Sequence, residues 1–323
     1  MKRLLFLFFT LFALLAGITF WWYSAVKPVS SDSFLKDFLI VKGSSASQIG
    51  NKLEREGFIK SALAFKIYVQ VTGKAKRILA GEYRLSPSHS LFKVVGELTR
   101  GPVEIWVTIP EGLRREEVVE RFIKGLEKKE TETPAFRKEF LEVSDGQEGF
   151  LFPDTYLFPK DSAASGVVNK MRSTFDIKTA ELNEGIKASE LTLREIVILA
   201  SIIERETRTE NERPIVAGVL INRLNIGMGL QADATVQYAV ATSSNWWPVL
   251  TRDDLATNSP FNTYRFRGLP PAPIANSGLS SLSAAVFPEE TDFLYYLHDS
   301  KGQAHYAETL AEHNENIRKY LGK

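Results

Sequence analysis

A chain of 323 residues is long enough for two or three domains, and its 40 Lys and Arg against 39 Asp and Glu leave a formal charge of +1. That balance argues against nucleic acid as the main partner, which needs a basic footprint for phosphate. No cysteine is present, so disulfides, thiolate metal sites and cysteine nucleophiles are excluded.

The first predicted element is a membrane anchor. "MKR" precedes an apolar run in which residues 4 to 22 carry no charge. About nineteen residues at ~1.5 Å each span roughly the hydrocarbon thickness of a bilayer. Lys2 and Arg3 place the N-terminus in the cytoplasm, and Trp21, Trp22 and Tyr23 fit an aromatic belt at the outer interface. The other reading is a cleaved signal peptide, but the run is long for one and lacks a clean small-x-small cleavage site. The remainder of the chain is then expected outside the membrane.

"KPVSSDS" reads as a linker, residues 27–35, after an anchor over residues 1–26. "FLIVKG" predicts a strand, "SASQIGNKLEREGFI" and "SALAFKIYVQVTG" two helices, and "ILAGEYRLS" a second strand. This strand-helix-helix-strand order over residues 36–100 resembles a LysM module, which binds N-acetyl sugars in glycans. Residues 101–147 read as a connecting α/β region. They hold the helix "SLFKVVGELTRG" at its approach, then the strand "VEIWVTIPEG", the helix "REEVVERFIKGL" and a charged helix ending "AFRKEFL".

From Glu148 the texture changes. "EGFLFPDTYLFP" is read as a rigid loop of aromatics and prolines around Asp154. "TLREIVILASIIERETR" is an apolar helix opened by Thr192, with Glu195 completing a capping box. A second helix, "NERPIVAGVLINRLNIG", starts near Pro214 and stops at Gly227. The stretches "MGLQADATVQYA", "SPFNTYRFRGLPPAPIANSG" and "SLSAAVFPEE" read as loops. The hairpin "FLYYLHDSKGQAHYA" and a closing helix follow. The fold class expected is α+β: a transmembrane helix, a LysM-like βααβ module, and a mixed α+β domain over residues 148–323 built on a buried glutamate-bearing helix.

Chemistry narrows by elimination. His298, His305 and His313 lack the spacing of a zinc helix and read as surface or edge histidines; no metal and no cofactor are expected. There is no G-x-S-x-G elbow and no phosphate-binding glycine loop. Carboxylates remain. At ~100° per residue, the apolar positions of the long helix average near the direction of Ile196, with Glu204 and Glu206 each about 80° away on opposite flanks. Periodicity therefore leaves the choice between them open. At either flank, apolar surroundings raise a carboxylic acid's pKa. Downstream, Gln231, Tyr238, Asn262, Tyr264 and Asn276 are side chains suited to sugar hydroxyls, acetamides and ring faces.

"EGFLFPDTY", "ASIIERET", "VLINRL", "IGMGLQADATVQYA", "NTY", "GLPPAPIANSG" and "HNENIRKYL", in that order over residues 148–323, resemble the endolytic murein transglycosylases of the YceG type. Ala234 and Ser277 depart from the pattern, standing where the family usually has proline. The resemblance implies lytic cleavage of the β-1,4 bond between N-acetylmuramic acid and N-acetylglucosamine, giving 1,6-anhydromuramoyl ends and terminating glycan strands. It places the family's catalytic glutamate on Glu206 as general acid and base, with Thr207 beside it, and leaves Glu204 as a structural partner. The implied partners are peptidoglycan strands, the inner membrane and peptidoglycan synthases such as penicillin-binding proteins. Two competing readings are a non-catalytic glycan-binding scaffold for those synthases and a pyridoxal-phosphate lyase. The latter is disfavoured by an extracytoplasmic domain and by the lack of an identifiable Schiff-base lysine.

Overall fold

The computed structural model describes residues 2–322. Met1, Lys323 and the side chains of the first seven residues, including the expected basic flank Lys2 and Arg3, lie outside the described residues. The chain divides into two compact units.

The first unit opens with helix α1 (Lys2–Ala25), whose stretch Phe8–Ala25 is long and apolar enough to cross a membrane. Strand β1 (Lys36–Ile40), helices α2 (Ala46–Arg55) and α3 (Ala62–Val71) and strand β2 (Gly81–Leu85) follow, in the expected βααβ order, then α4 (Leu91–Arg100) and β3 (Glu104–Thr108). Serines open the helices. Ser45 forms a capping box with Gln48, and Ser61 and Ser90 each accept a backbone N–H of the first turn. β1 and β2 pair antiparallel, Phe38 opposite Tyr83, and these two side chains pack with Leu53, Phe65 and Val94 in one apolar core. Gly81 has φ +144°, and a Cβ there would meet the Glu104 carbonyl, so only glycine lets β2 approach β3. The stretch 27–35 is tied down: Val29 and Ser30 both donate to the Pro87 carbonyl, at 3.1 and 3.2 Å. The sheet runs in the order β1-β2-β3-β4. Its last strand, β4 (Thr155–Pro159), lies in the sequence read as a rigid loop; alternation of buried Tyr156 and Phe158 makes it a strand, and its proline is tolerated at an edge.

The second unit holds α5 (Arg115–Gly125) but for its last residue, then α6 (Thr133–Val143), α7 (Ala164–Lys178), α8 (Asn183–Ala188), α9 (Leu193–Glu206), α10 (Arg213–Asn225), α11 (Asp233–Val240), α12 (Leu279–Val286), the hairpin β5 (Tyr295–His298) and β6 (Ala304–Ala307), and α13 (Leu310–Asn316). α11 and α12 correct the reading of "MGLQADATVQYA" and "SLSAAVFPEE" as loops. Each has eight residues, too few for a periodic signal, and burial of Val236, Leu282 and Ala285 holds them in place.

α9 is the axis of this unit. The Thr192–Glu195 capping box opens it, every residue from Ile196 to Ile203 is buried, and most of them share one core with α10, α12 and Phe175. Ser201 satisfies its hydroxyl by donating to the Ile198 carbonyl, and its oxygen accepts the Ile274 N–H at 3.0 Å, pinning the proline-rich loop to the helix. Gly149, with φ +85°, passes so near that a Cβ would lie 2.6 Å from both Val197 and Pro273.

Candidate active site

Glu206 is the last residue of α9. Thr207 stops the helix: its backbone is extended, and its N–H and hydroxyl both return to the Ile203 carbonyl, at 3.0 and 2.8 Å. The Glu206 side chain then enters a pocket of about 350 Å³. Tyr296, from β5, donates its phenol to Oε2 at 3.0 Å, and the Ala234 N–H in the first turn of α11 faces Oε1 at 3.5 Å.

Apart from Leu310, the rest of the lining is polar and aromatic. Gln231 and Asp233 come from the approach to α11, and Tyr264 donates to the Asp233 carboxylate at 2.7 Å. Arg223 of α10 is held by two carbonyls, Nε to Leu294 at 2.6 Å and Nη1 to Leu230 at 2.5 Å. Its guanidinium lies 5.6 Å from the Tyr295 ring, which stacks at 5.2 Å on His313 of α13.

Burial raises the Glu206 pKa above the ordinary carboxylate range; the Tyr296 and Ala234 bonds oppose the rise and the Asp233 charge adds to it. Burial and the neighbouring Glu206 charge push the Tyr296 phenol well above its ordinary value, so it stays an O–H donor. A carboxyl group with raised proton affinity, one hydroxyl donor and open space beside it can both give and take a proton.

Glu204, some 200° around the helix at ~100° per residue, is saturated instead. Arg213 donates to its Oε1 at 3.1 Å, and the Gly278 N–H and Ser281 hydroxyl donate to Oε2 at 3.1 and 2.7 Å. It caps the start of α12, where a carboxylate meets free N–H groups and a favourable helix dipole.

Of the five expected sugar contacts, the pocket gathers Gln231 and Tyr264. The other three are placed elsewhere. Asn276 is fully buried: its amide donates to the Leu113 carbonyl and to Glu148, and its Oδ1 accepts the Leu151 N–H. Both amide donors and the oxygen are thus engaged within the protein. Asn262, also fully buried, closes its own loop by donating to Leu255 and Thr257 and accepting from Tyr264. Tyr238 lies under the Arg114 guanidinium at 3.9 Å and against Phe261, and burial pushes its phenol up to about 12. Asp154 pairs with Lys178 at 3.1 Å and accepts the Thr155 N–H, away from the pocket lining. Glu148, the partner of Asn276, is pushed up to about 8 by burial, with the Glu116 charge adding to the rise.

Arg223, Asp233, Tyr295, Tyr296 and His313 were not singled out as site residues by sequence reasoning. Arg223 and Asp233 stand inside the motifs "VLINRL" and "IGMGLQADATVQYA", which is the signal that marks them. Tyr296 is ninety residues from Glu206 and had only its place in the hairpin. A second cavity of about 340 Å³, between β1 and α2, is lined by no acidic residue and so has no carboxyl group to offer.

The sequence model of the YceG-like family matches residues 38–319. The chain is 32% identical over 332 residues to an endolytic murein transglycosylase of Bacillus subtilis, covering 95% of this chain and 91% of that protein. It is 27% identical to an endolytic murein transglycosylase of Streptococcus pneumoniae, covering 92% of this chain and spanning 60% of that longer protein. The crystal structure of a YceG-like protein from Listeria monocytogenes aligns with a TM-score of 0.59 at 29% identity, covering 88% of this chain and 99% of the other. With most of its length matched in order, the chain belongs to the YceG-like family.

Proposed function

We propose that this protein is an endolytic murein transglycosylase, a lyase that cleaves the β-1,4 bond between N-acetylmuramic acid and N-acetylglucosamine inside peptidoglycan strands. The observation that carries the reading is the half-buried Glu206 carboxyl, with its pKa raised, at the head of a polar pocket, in a chain so similar to the B. subtilis enzyme.

Glu206 enters the reaction protonated. It gives its proton to the glycosidic oxygen as the C1–O4 bond breaks, and the substrate's own acetamide supports the oxocarbenium-like centre. The resulting carboxylate is stabilised by the Tyr296 hydroxyl and the Ala234 N–H. It then takes the proton from the C6 hydroxyl while O6 bonds to C1, closing the 1,6-anhydro ring. Glu206 ends as it began and no water is consumed, so one carboxyl group suffices. Gln231, Asp233 and Tyr264 are positioned to hydrogen-bond hydroxyl and acetamide groups, and Tyr295 to pack on a sugar ring.

α1 serves as a single-pass anchor with the N-terminus cytoplasmic, which brings the enzyme to nascent strands beside the synthases that extend them. The βααβ module serves as a LysM-like glycan holder. The test is mass spectrometry of glycan strands digested by the purified protein. Products ending in anhydromuramic acid from the wild type, and none from Glu206→Gln, are expected. Strand binding without anhydro ends would leave a glycan-binding scaffold in place of an enzyme.

A further inference from the structure

The βααβ module carries an apolar face that its own core does not use. On α3, Leu63, Ile67 and Val71 follow one another at helical spacing and are 58%, 37% and 82% exposed, while Phe65 and Val69 on the opposite side are fully buried. Phe92, at the start of α4, is 43% exposed and meets Tyr68 of α3 edge-on at 5.0 Å. Three exposed aliphatic side chains in one row form a patch and not scattered surface residues, with Phe92 on the adjoining flank of α3 at Tyr68.

The segment that carries α3 has charge of one sign. Residues 57 to 81 contain Lys60, Lys66, Lys74, Lys76 and Arg77 and no aspartate or glutamate. Lys74 reaches back to the Tyr68 hydroxyl at 3.3 Å, which sets its ammonium at the border of the apolar strip.

The face is also joined to the end of α1 without slack. Ala25 is buried in the module, Trp22 and Val26 pack against its core, and the Leu91 N–H donates to the Val26 carbonyl at 3.1 Å. Phe92 is the next residue, and it touches Tyr68 on α3. The helix that would cross the bilayer therefore ends inside the module, one residue from the patch. An apolar strip flanked by lysines is the composition that settles at a lipid–water boundary, with apolar groups among acyl chains and cations at anionic headgroups.

We propose that α3 and Phe92 form a membrane-docking surface that lays the βααβ module on an anionic lipid bilayer, a reading that rests on α1 being the anchor. The absence of cysteine from the chain makes the test clean. Full-length single-cysteine variants Val71→Cys, Leu15→Cys and Val249→Cys are reconstituted into vesicles of phosphatidylethanolamine and phosphatidylglycerol and labelled with an environment-sensitive fluorophore. Quenching by nitroxide lipids is then read. Several-fold stronger quenching at Val71→Cys than at the fully water-exposed Val249→Cys is expected, falling by at least half when Lys74, Lys76 and Arg77 are replaced by Glu. Val71→Cys quenched no more than Val249→Cys, with Leu15→Cys quenched, overturns the docking surface and leaves the anchor standing. Leu15→Cys unquenched removes the anchor and the docking surface together. A Val71→Cys label shielded from aqueous quencher but untouched by nitroxide lipids identifies a protein neighbour on this face and overturns the lipid assignment.

Discussion

The two flanks of the last turn of α9 hold the same residue type and meet opposite fates. Glu204 is met by three donors from two other segments and lies outside the pocket lining. Glu206 has one hydroxyl and one distant N–H, and the remainder of its surface faces an open pocket. Buried polar groups in a folded chain are generally satisfied, so the carboxyl left partly unsatisfied at a cavity is the one to which the proposed mechanism gives a task. The saturated flank builds the domain, and the incomplete one is available to a substrate.

The largest effect that would break this comparison is on rate. Glu206→Gln keeps shape but cannot exchange the proton, so cleavage should fall by about 10² to 10⁴. Wild-type rates for this variant on purified strands would remove Glu206 from the mechanism. Its stability should hold or rise. Because the folded-state pKa of Glu206 lies above its unfolded value, the native state binds the proton more tightly, and stability is lost as pH climbs from the unfolded pKa through the raised one. The glutamine has no such loss, so denaturant midpoints of the two proteins should separate above that window.

Glu204→Gln should behave in the opposite sense. It removes the nearer of the two carboxylates on the buried Arg213 guanidinium, leaving Glu111 at 3.4 Å, and should cost about 1 to 3 kcal/mol, while the folded fraction still cleaves. Urea unfolding beside activity per folded molecule separates the two effects. Next in size is Asn276→Ala, which leaves the Leu151 N–H and Glu148 short of a partner. About 2 kcal/mol of stability should go, with KM for glycan unchanged; a raised KM would return Asn276 to substrate contact.

The finest test is the alkaline limb of the pH–rate profile, which the proposed mechanism assigns to loss of the Glu206 proton. Tyr296→Phe removes a bond that favours the carboxylate and should move the limb to higher pH. Asp233→Asn removes a charge that favours the acid and should move it lower. Shifts in the same direction would mean that another group sets the limb.

Local signals were readable in this chain and long-range ones were not. Thr192 and Glu195 mark the start of α9 because a capping box is written within four residues. The edges of the apolar stripe marked Glu204 and Glu206 together, since 3.6-residue periodicity fixes the flanks of a helix but not what meets them. What distinguishes the pair lies far along the chain: Ser281 on one side, Tyr296 on the other. Asn262 and Asn276 have the chemistry of sugar ligands, and the same amides close loops equally well, so composition could not separate them from Gln231. Eight-residue helices such as α11 offer barely two turns of pattern, and tertiary burial supplies the rest.

Glu206 also ends one helix and faces the start of another. The C-terminal end of α9 carries partial negative charge and disfavours ionisation, whereas the first turn of α11 favours it through Ala234. The proton affinity of the site is thus set mainly by burial, with the Tyr296 and Ala234 bonds and the Asp233 charge acting at close range, where mobile ions screen poorly. Changing ionic strength should alter how quickly a charged wall polymer reaches the protein while leaving the alkaline limb of the reaction where it was.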